Sequence, residues 1–502
     1  MNALDAVLAA RPRRAVAELA SHELVAGAAA LLGAGYRLAL VAGHDEGDTL
    51  RVVYLFVDGP PDQRVELHVR VDARDPRVPS LATLSFPAGR FERELRDLFG
   101  IEPVGHPQPR PLVLHQHWPA HWHPMRRGAG SPGPMVADAA PYPFARVEGG
   151  GVYEIPVGPV HAGVIEPGHF RFWVVGETIV KMKARLWFTH KGVERLFEGR
   201  DIASGIELAE RISGDSAVGH SLALVLAVEE ALGVHVDQRT RELRATLLEL
   251  ERLYNHVADI GALCNDVAFS LANARALSAR EHLLRLNDRV TGHRLLRGAV
   301  HLGGARVREL PARKELDDVR TAVAEVVALA QANSIVMDRW RGTGVLAEPQ
   351  AREIGVLGVV ARASGVACDA RVLHPFIDPP PTFCGAVQDS GDVLARFLVR
   401  VEEIETSLAL LEDYVTRPGG LVVEGPTTPL APGHGTGIVE GWRGAIAHRV
   451  ELDAAGRFAR VKVVDPSFLT WPALAVALGD TIVPDFPLVN KSFNLSYAGN
   501  DL

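Results

Sequence analysis

The stretch L-R-A-T-L-L-E-L-E-R-L-Y-N-H-V-A-D-I-G-A-L-C, at residues 243–264, decides the fold of the larger part of the chain. Apolar or small residues recur along it at alternating spacings of four and three. They are Leu243, Leu247, Leu250, Tyr254, Val257, Gly261 and Cys264. This spacing places them on one stripe of a long α-helix, and the core of a helical bundle is the natural place for such a stripe. Cys264 is therefore expected to be a small core residue rather than a reactive thiol.

Helices are also predicted on both sides of this stretch, as far as about residue 345. Residues 222–232 are apolar nearly all round, which predicts a buried helix that Gly233 ends as a C-cap. Ser278 and Glu281 form a capping box. This box predicts that a further helix begins at residue 278 and runs towards a stop at Gly303 and Gly304.

The first hundred residues have the pattern of a small α+β unit. Residues 36–41 and 50–57 have the composition of strands, and residues 64–71 alternate strictly between polar and apolar side chains. Strict alternation predicts a half-buried antiparallel strand. Residues 91–99 carry acidic side chains among apolar ones, which predicts a short amphipathic helix.

Prolines interrupt residues 103–143 so often that we expect an extended arm there. The arm contains His115, His117, His121 and His123. Four imidazoles suggest a metal site, but the prolines splay them and no helix supports the spacing. We therefore favour an aromatic and histidine-rich packing arm. Beyond it, residues 152–157 and 170–186 are predicted strands.

Composition excludes several classes of protein. The 502 residues carry a net charge of −8, with 47% hydrophobic and 23% charged residues. These values are typical of a globular chain of about two or three domains and exclude dominant disorder. An acidic chain lacks the basic face that binds nucleic acid. We expect neither a signal peptide, because Asp5 interrupts the apolar start, nor a membrane span. A soluble chain that docks on a membrane protein is the expectation.

The cysteines are few and dispersed. Cys264, Cys368 and Cys384 are the three in the sequence, and none forms a C-x-x-C pair. Disulfide scaffolds, zinc ribbons and cysteine-ligated iron-sulfur clusters are therefore disfavoured within this chain.

Two short strings suggest chemistry that their context does not support. The string at residues 433–437, G-H-G-T-G, is better interpreted as a glycine-rich turn than as a dinucleotide site, because a strand rather than a helix follows it. Gly214, Asp215 and Ser216, with His220 four residues on, lack the elbow and the orienting acid that a serine nucleophile needs.

Six longer strings carry a family resemblance. They lie at residues 158–172, 210–221, 251–261, 291–298, 439–444 and 465–472. Together they resemble the large subunit of membrane-associated nickel-iron hydrogenases of the formate hydrogenlyase type, and the quinone-site subunit of respiratory complex I. The string F-E-R-E-L-R-D-L-F-G-I at residues 91–101, and H-P-M-R-R at 123–127, are similar to the small complex I subunit that is fused ahead of the large one in formate hydrogenlyase.

The resemblance implies an α+β fold class with two main domains. A small α+β domain would occupy residues 1–102, the proline-rich arm residues 103–150, and a helical-bundle domain with β-rich flanks residues 151–502. It also implies that residues 465–470 pack near residues 213–216, and that the chain's C-terminal part returns to the core.

Resemblance to the hydrogenases does not by itself imply hydrogenase activity. In the hydrogenases the metal is held by two C-x-x-C pairs, and the matching positions here are Ser213, Ser216, Ser467 and Thr470. Thiolates are the soft ligands that a nickel-iron centre needs, whereas neutral hydroxyls are harder and weaker. We therefore expect no nickel-iron centre, no hydrogen chemistry and no bound cofactor in this chain.

The complex I branch implies a quinone site built on a histidine and a tyrosine. His161 and His169 are present, but Gly214 stands where the tyrosine would fall. A quinone pocket would then use His169 as the donor and Tyr153 or another aromatic as a wall. The alternative is that both histidines are structural residues where two subunits meet.

Further resemblance concerns residues around the former metal positions. Glu166 matches a glutamate linked with proton passage, and Arg443 matches a neighbouring arginine, so the two are expected to survive as a buried ion pair. Glu166, His169 and Arg443 are the candidate catalytic residues, and His161, His169 and His220 the candidate cofactor-binding ones. A proton-path role and a structural role stay equally open for Arg211, His220, Glu251, Arg252 and His256.

The implied partners are a small iron-sulfur subunit and antiporter-like membrane subunits, on the cytoplasmic face of the cell membrane. Two functions follow. In the first, the chain is a redox-complex subunit that receives electrons from a partner and passes them to quinone or a similar acceptor. In the second, it is a non-catalytic scaffold that has kept the interfaces and lost the chemistry.

Overall fold

The computed structural model describes residues 12–137, 140, 142–144, 146–162, 165–381, 383–425 and 429–502. The chain forms two compact units. The N-terminal unit comprises the residues up to 146 together with residues 185–195 and 501, so the proline-rich arm belongs to it. The large unit comprises residues 147–184, 196–500 and 502.

A four-stranded sheet forms the core of the N-terminal unit. Its strands are β1 (Arg14–Leu19), β2 (Arg37–Asp45), β3 (Thr49–Asp58) and β4 (Gln63–Asp72), in the order β1-β4-β3-β2. Within this sheet β1 and β4 pair in parallel, and the other two pairings are antiparallel. The three predicted strands are confirmed within β2, β3 and β4. The polar face of β4 is more buried than its alternation indicates, since His68 and Glu66 pair at 2.8 Å and both are less than 10% exposed.

Two helices and a small sheet complete the N-terminal unit. They are α1 (Leu24–Gly33), α2 (Phe86–Phe99), β5 (Arg77–Pro79) and β6 (Glu102–Val104). α2 contains the predicted amphipathic helix and begins five residues earlier, with Pro87 in its first turn. Its acidic side chains are buried rather than solvated. Glu92 bonds to Ser80 and Leu81 ahead of the helix, and Asp97 bonds to the arm at residues 112–114.

The proline-rich arm packs through its tryptophan and histidine rings. Trp118 and Trp122 stack with ring centroids 5.0 Å apart, and the His115 ring lies edge-on to Phe188 at 4.6 Å. His115 Nε2 lies 3.1 Å from the Leu186 carbonyl oxygen. These contacts are those of the predicted packing arm.

The large unit begins with a three-stranded sheet of β7 (Val152–Val157), β8 (His169–Val175) and β9 (Thr178–Arg185). The prediction of one long strand over residues 170–186 is wrong, because Gly176, at φ 60°, turns the chain between β8 and β9.

Helices form most of the large unit. In the first half they are α3 (Val193–Phe197), α4 (Ile202–Ala209), α5 (Ala217–Leu232), α6 (Gln238–Asn265) and α7 (Ser270–Thr291). Then follow α8 (Arg313–Ala332), α9 (Ser334–Trp340), α10 (Glu348–Ile354), α11 (Gly358–Ala363), α12 (Ala370–Leu373) and α13 (Val393–Thr416). The C-terminal helices are α14 (Pro466–Ala477), α15 (Phe486–Phe493) and α16 (Tyr497–Asp501).

The central helix α6 confirms the prediction from residues 243–264. Its stripe is buried, with Leu243, Leu247, Tyr254 and Cys264 each 0% exposed. α5 is the predicted buried helix, and Gly233, at φ 65°, caps it.

The predicted start and end of α7 are both wrong. The helix begins at Ser270, two turns before Ser278, and ends at Gly292, whose φ is 88°. Close packing against α6 explains the earlier start. A Cβ on Gly261 of α6 would lie 2.5 Å from the Ala276 side chain, so the small residues of the two helices hold this first part of α7 in place.

A second sheet contains β13 (Gly433–Gly441), β14 (Gly444–Leu452) and β15 (Phe458–Val464), and a third contains β10 (Val300–His301), β11 (Gly304–Arg306) and β12 (Val422–Val423). The predicted glycine-rich turn at residues 433–437 is instead part of β13. Gly433, Gly435 and Gly437 face α5, and a Cβ on any of them would overlap a backbone carbonyl oxygen of that helix. Glycine is needed there for close approach rather than for turning.

Among the described residues, no single helix is long and apolar enough to span a membrane. Within the same described ranges, α8 and α9 taken together are the only pair that reaches that length and composition, and the chain bends by 83° between them.

Candidate functional site

Two of the four positions that match the metal ligands, Ser213 and Ser467, contact one serine of the C-terminal segment. Ser213 Oγ lies 2.8 Å from Ser496 Oγ, and the Ser496 N–H donates to Ser467 Oγ at 3.0 Å. Ser496 therefore joins the loop before α5 to the start of α14. The predicted proximity of residues 213–216 and 465–470 is confirmed.

The hydroxyl groups at these positions are engaged by the protein itself. Ser213 Oγ donates to Asp215 Oδ1 at 2.9 Å, and Ser216 Oγ lies 3.4 Å from the same oxygen. Thr470 Oγ1 accepts the Leu357 N–H at 3.3 Å. All four side chains are buried, and each of them would offer a metal only a neutral hydroxyl. This set of ligands does not fit a nickel-iron centre, which requires thiolates.

An ion pair between Asp215 and Arg443 occupies the centre of this region. The guanidinium donates from both Nη atoms to the two carboxylate oxygens, each at 2.7 Å, which is a bidentate pair. Arg443 also donates to the Asn494 carbonyl oxygen at 2.5 Å and lies 3.8 Å over the Trp442 ring. Loss of hydration opposes ionisation of Asp215, whose side chain is 39% exposed, but the charge and hydrogen bonds of Arg443 outweigh it and hold the pKa of Asp215 below its usual range.

The predicted ion pair between Glu166 and Arg443 is wrong. Arg443 is taken by Asp215, while Glu166 Oε2 accepts the Ala498 N–H at 3.0 Å at the start of α16. Asp215, between Ser213 and Ser216, reaches the Arg443 guanidinium, whereas Glu166 on the β7–β8 hairpin reaches α16. Glu166 and Arg443 therefore take part in separate contacts.

The candidate quinone histidines belong to the β7–β8 hairpin. His161 Nε2 lies 2.8 Å from the Gly168 carbonyl oxygen, and His169 Nδ1 lies 3.2 Å from that of Gly158. Burial lowers the pKa of His169, which favours the neutral ring. Because Nδ1 faces a carbonyl oxygen, it carries the proton, and Nε2 is a hydrogen-bond acceptor. The neutral ring in this arrangement presents an acceptor, and the role of His169 as a donor to quinone stays a prediction.

Tyr153 lies away from His169 on the hairpin. It pairs with Val174, four positions along the strand from the Val157–Phe170 pair beside His169, and its hydroxyl donates to the Gly176 carbonyl oxygen. The aromatic residue beside His169 is Phe170, whose ring lies 6.1 Å from the Trp471 ring. Whether Tyr153 or another aromatic residue walls a quinone pocket stays a prediction.

Gly214 borders open space. A Cβ built on it has no heavy atom within 4 Å. The position that lacks the tyrosine is therefore neither filled by another side chain nor closed by the backbone.

His220 lies in a fully buried chain of three titratable groups. Its Nε2 lies 3.1 Å from Asp465 Oδ2, and its Nδ1 lies 3.0 Å from Nε2 of His448. His220 and His448 are both 0% exposed. Both ring nitrogens of His220 are thus engaged within the protein. His448, on β14, was not predicted, because a histidine in an apolar strand gives no signal of its partner.

The remaining candidates divide between buried and exposed positions. Glu251 is 0% exposed and accepts the N–H groups of Val218 and Gly219 at 2.7 and 2.9 Å, and burial raises its pKa to about 8. Arg252 and His256 are also fully buried, whereas the side chain of Arg211 is 53% exposed. Burial therefore supports a role inside the molecule for Glu251, Arg252 and His256, and not for Arg211.

Sequence reasoning also missed Ser496 and the role of Asp215. Ser496 lies outside every motif, so no local signal identifies it. Asp215 stands between Ser213 and Ser216, and an acid between two former ligand positions is a signal that could have found it.

Comparison with known families gives two matches along the chain. Residues 18–133 match the family "Respiratory-chain NADH dehydrogenase, 30 Kd subunit", and residues 266–426 match "Respiratory-chain NADH dehydrogenase, 49 Kd subunit". The two matches follow the order of a fused chain.

Several curated proteins are similar over most of their length. Formate hydrogenlyase subunit 5 of Escherichia coli (strain K12) is 33% identical over 87% of this chain and 79% of that protein. Hydrogenase-4 component G of the same strain is 32% identical over 89% and 80%. The C/D subunit of the NADH-quinone oxidoreductase of Phocaeicola vulgatus is 28% identical over 83% and 85%.

A solved structure has the same fold. It belongs to the membrane-bound sulfane sulfur reductase, an archaeal respiratory membrane complex, with a TM-score of 0.64 and 27% identity. The match covers 70% of this chain and 98% of that one.

Proposed function

The chain belongs to the family that includes formate hydrogenlyase subunit 5 and the C/D subunit of NADH-quinone oxidoreductase, and from that premise we propose that it is a metal-free redox subunit of a membrane-bound respiratory complex. The observation that carries this proposal is the Asp215–Arg443 ion pair among four buried hydroxyls, at the positions that the resemblance to the hydrogenases assigns to metal ligands. Electrons reach the chain from a partner, because it contains no C-x-x-C pair to hold a cluster.

The acceptor that we propose is a quinone. Reduction of a quinone takes two electrons from the partner subunit and two protons from solvent, which reaches the open space at Gly214, and yields a quinol with two hydroxyl groups. Ionised Asp215 and neutral His169 both present hydrogen-bond acceptors, which suit those hydroxyls. The opening at Gly214 supports this assignment, since it leaves room beside the ion pair.

Restoring a tyrosine tests the quinone proposal. The variant Gly214→Tyr adds a phenolic hydroxyl in open space, and Gly214→Phe adds the ring without it. In the purified complex we expect Gly214→Tyr to lower the KM for quinone relative to Gly214→Phe. Equal quinone kinetics in both variants and the wild type would count against a quinone at this centre.

The second candidate function is a scaffold without catalysis. It is favoured by the fact that the hydroxyls and Arg443 already have partners within the chain. The variants His169→Gln and Glu166→Gln separate the two functions. Unchanged electron transfer in an intact complex would favour the scaffold, whereas a slower rate with intact assembly would favour the redox subunit.

The partners proposed are a small iron-sulfur subunit and antiporter-like membrane subunits, on the cytoplasmic face of the membrane. Support comes from the relatives, which are named as subunits of multisubunit redox enzymes. Purification of the native complex from membranes, followed by identification of its subunits, tests both partners. Recovery of the chain without an iron-sulfur subunit would contradict the first.

A further inference from the structure

A cavity lies in the large unit between α4, β10 and the turn that joins β14 to β15. Its volume is about 570 Å³. Cavities that hold small organic molecules in proteins have volumes of roughly 300–1,000 Å³. The cavity is distinct from the centre described above, because neither Asp215 nor Arg443 lines it.

The floor of the cavity is apolar. Ile202 and Ile206 of α4 are 8% and 7% exposed, and Val300 of β10 is 3% exposed. Leu430, at the solvent side, is 53% exposed. An apolar floor with a few polar groups is typical of sites that bind small molecules. The apolar residues that line this cavity include Ile202, Ala203, Ile206, Val300, Leu302 and Leu430.

One buried carboxylate presents an oxygen to this cavity. Glu210 lines the cavity although its side chain is only 5% exposed. Its Oε1 accepts the Gly298 N–H at 2.6 Å. Its Oε2 has no hydrogen-bond partner among the described residues, and the protein does not fully enclose this oxygen. The cavity therefore contains a hydrogen-bond acceptor that the chain itself leaves unused.

The nearest base does not satisfy this oxygen. Arg211 Nη1 lies 4.0 Å from Glu210 Oε2, which is too far for a hydrogen bond. The Arg211 side chain is 53% exposed, and its Nη1 donates to the Glu207 carbonyl oxygen instead. Solvent weakens the attraction between a buried carboxylate and an exposed guanidinium. Glu210 Oε2 therefore keeps the capacity to accept a hydrogen bond from a ligand.

The surroundings of Glu210 favour a positively charged ligand. Glu210 is the C-cap of α4, and the C-terminal end of a helix carries a partial negative charge. Asp201 and Glu207 also line the cavity, and Arg457 is the only arginine or lysine among the described lining residues. Burial lowers the pKa of His301, which favours its neutral ring. Loss of hydration raises the pKa of Glu210, and a bound cation would oppose that rise.

We propose that this cavity binds a small organic cation, an amine or an amidine that is carried on an apolar body. The apolar body packs against Ile202, Ile206 and Val300, and an N–H group of the cation donates to Glu210 Oε2. Burial of apolar area supplies part of the affinity, and the charge-assisted hydrogen bond supplies the specificity. The proposal rests on this cavity alone and does not depend on the proposed redox function.

Ligand-observed NMR with benzamidine tests the site, because benzamidine carries one amidinium on a flat apolar ring. In a titration of the purified full chain we expect saturable transfer of magnetisation from the protein to benzamidine. Benzamide, which is neutral and has a similar shape, and benzoate, which is an anion, are the control ligands. We expect each of them to bind about tenfold more weakly or less, since neither donates a charged N–H. Equal binding of the three compounds would overturn the proposal.

Substitution of Glu210 places the ligand in this cavity. Glu210→Gln keeps the size of the side chain and removes its charge, so we expect the dissociation constant for benzamidine to rise about tenfold or more. Glu325→Gln is the matched control, because that carboxylate is 48% exposed, pairs with Arg275 and does not line the cavity. Unchanged affinity in a folded Glu210→Gln variant would overturn the proposal.

A second variant keeps the test decisive if Glu210→Gln fails to fold. Ala203 is an exposed residue of α4 that lines the cavity, so Ala203→Phe reduces the space for a ligand and leaves Glu210 in place. We expect this variant to lose benzamidine binding. Binding with the affinity of the wild type would show that benzamidine binds elsewhere, and the proposal would fall. Because no electron-transfer assay enters, a negative result here leaves the proposed function untouched.

Discussion

At the residue scale, one ion pair organises the positions that match the metal ligands of the hydrogenases. Asp215 receives both Nη atoms of Arg443 and the hydroxyl of Ser213, so these positions face an ionised carboxylate. The family resemblance pointed to the four hydroxyl residues. The partner of Arg443 could not be predicted, because Asp215 and Arg443 are 228 residues apart and no local pattern links them.

A second residue-scale effect is the pH response of the N-terminal unit. Glu92 is 1% exposed and accepts from Ser80 Oγ and the Leu81 N–H, and burial raises its pKa to about 7. The pKa of Glu92 is higher in the folded state than the value of 4.5 in the unfolded chain, so the protonated carboxyl favours the folded state. This contribution to the free energy of unfolding is fully present below pH 4.5. That stability, about 3 kcal/mol for this shift, is lost as the pH rises to about 7.

We therefore predict that Glu92→Gln flattens the pH dependence of the N-terminal unit between pH 4.5 and 7. The amide of glutamine retains an acceptor for Leu81 and a donor for Ser80. Hydrogen exchange at the amides of β3 and α2 measures the free energy of opening in the full chain. Glu102→Gln, whose side chain is 46% exposed in the wild type, is the control. An unchanged slope in Glu92→Gln would contradict the assignment.

At the element scale, the sequence predicted which helices form more successfully than where they begin. The stripe of α6 identifies a core helix because burial follows its period. The start of α7 was missed because small residues that pack closely against Gly261 outweigh a capping box. The same close packing explains β13, whose alternate glycines indicate contact with α5 and not a turn.

Substitution of one of these glycines tests the packing of β13. We predict that Gly437→Ala destabilises the large unit by about 1–3 kcal/mol, because the new methyl group overlaps the Ala223 carbonyl oxygen. Urea denaturation measures the change. Gly214→Ala is the matched control, since open space surrounds that position. Similar stability of the two variants would mean that α5 and β13 separate more easily than their contact indicates.

The arm gives a further prediction at this scale. Asp97 of α2 accepts the N–H groups of Leu112, Val113 and Leu114 at 2.7, 2.7 and 3.2 Å. Asp97→Ala removes the acceptor, and each buried N–H left unsatisfied costs about 1–3 kcal/mol. We expect faster proteolysis near residue 112 than in the wild type or in Asp75→Ala, a change at a 68% exposed position. Equal cleavage rates would show that the arm is held by other contacts.

At the scale of the whole molecule, the family resemblance predicted more than the residue pattern alone. It placed residues 465–470 beside residues 213–216, which lie about 250 positions apart in the chain, and the hydrogen bonds through Ser496 confirm it. The buried pairing of Arg362 with Glu403 and Glu440 could not be predicted in this way. The three residues come from separate segments of the large unit, and no local pattern links them.

The last prediction concerns the metal content of the native complex. A nickel-iron centre needs four thiolates, whereas this chain offers four neutral hydroxyls that already bond to Asp215, Ser496 or Leu357. Deprotonating those hydroxyls to make better ligands would require far more energy than deprotonating thiols. We therefore expect elemental analysis of the purified complex to find no stoichiometric nickel in this subunit. A hydrogenase relative with its four cysteines, prepared in parallel, is the control that shows nickel survives the purification. One nickel per chain that persists through gel filtration would mean that oxygen ligands can hold the centre, and the assignment of a metal-free site would fall.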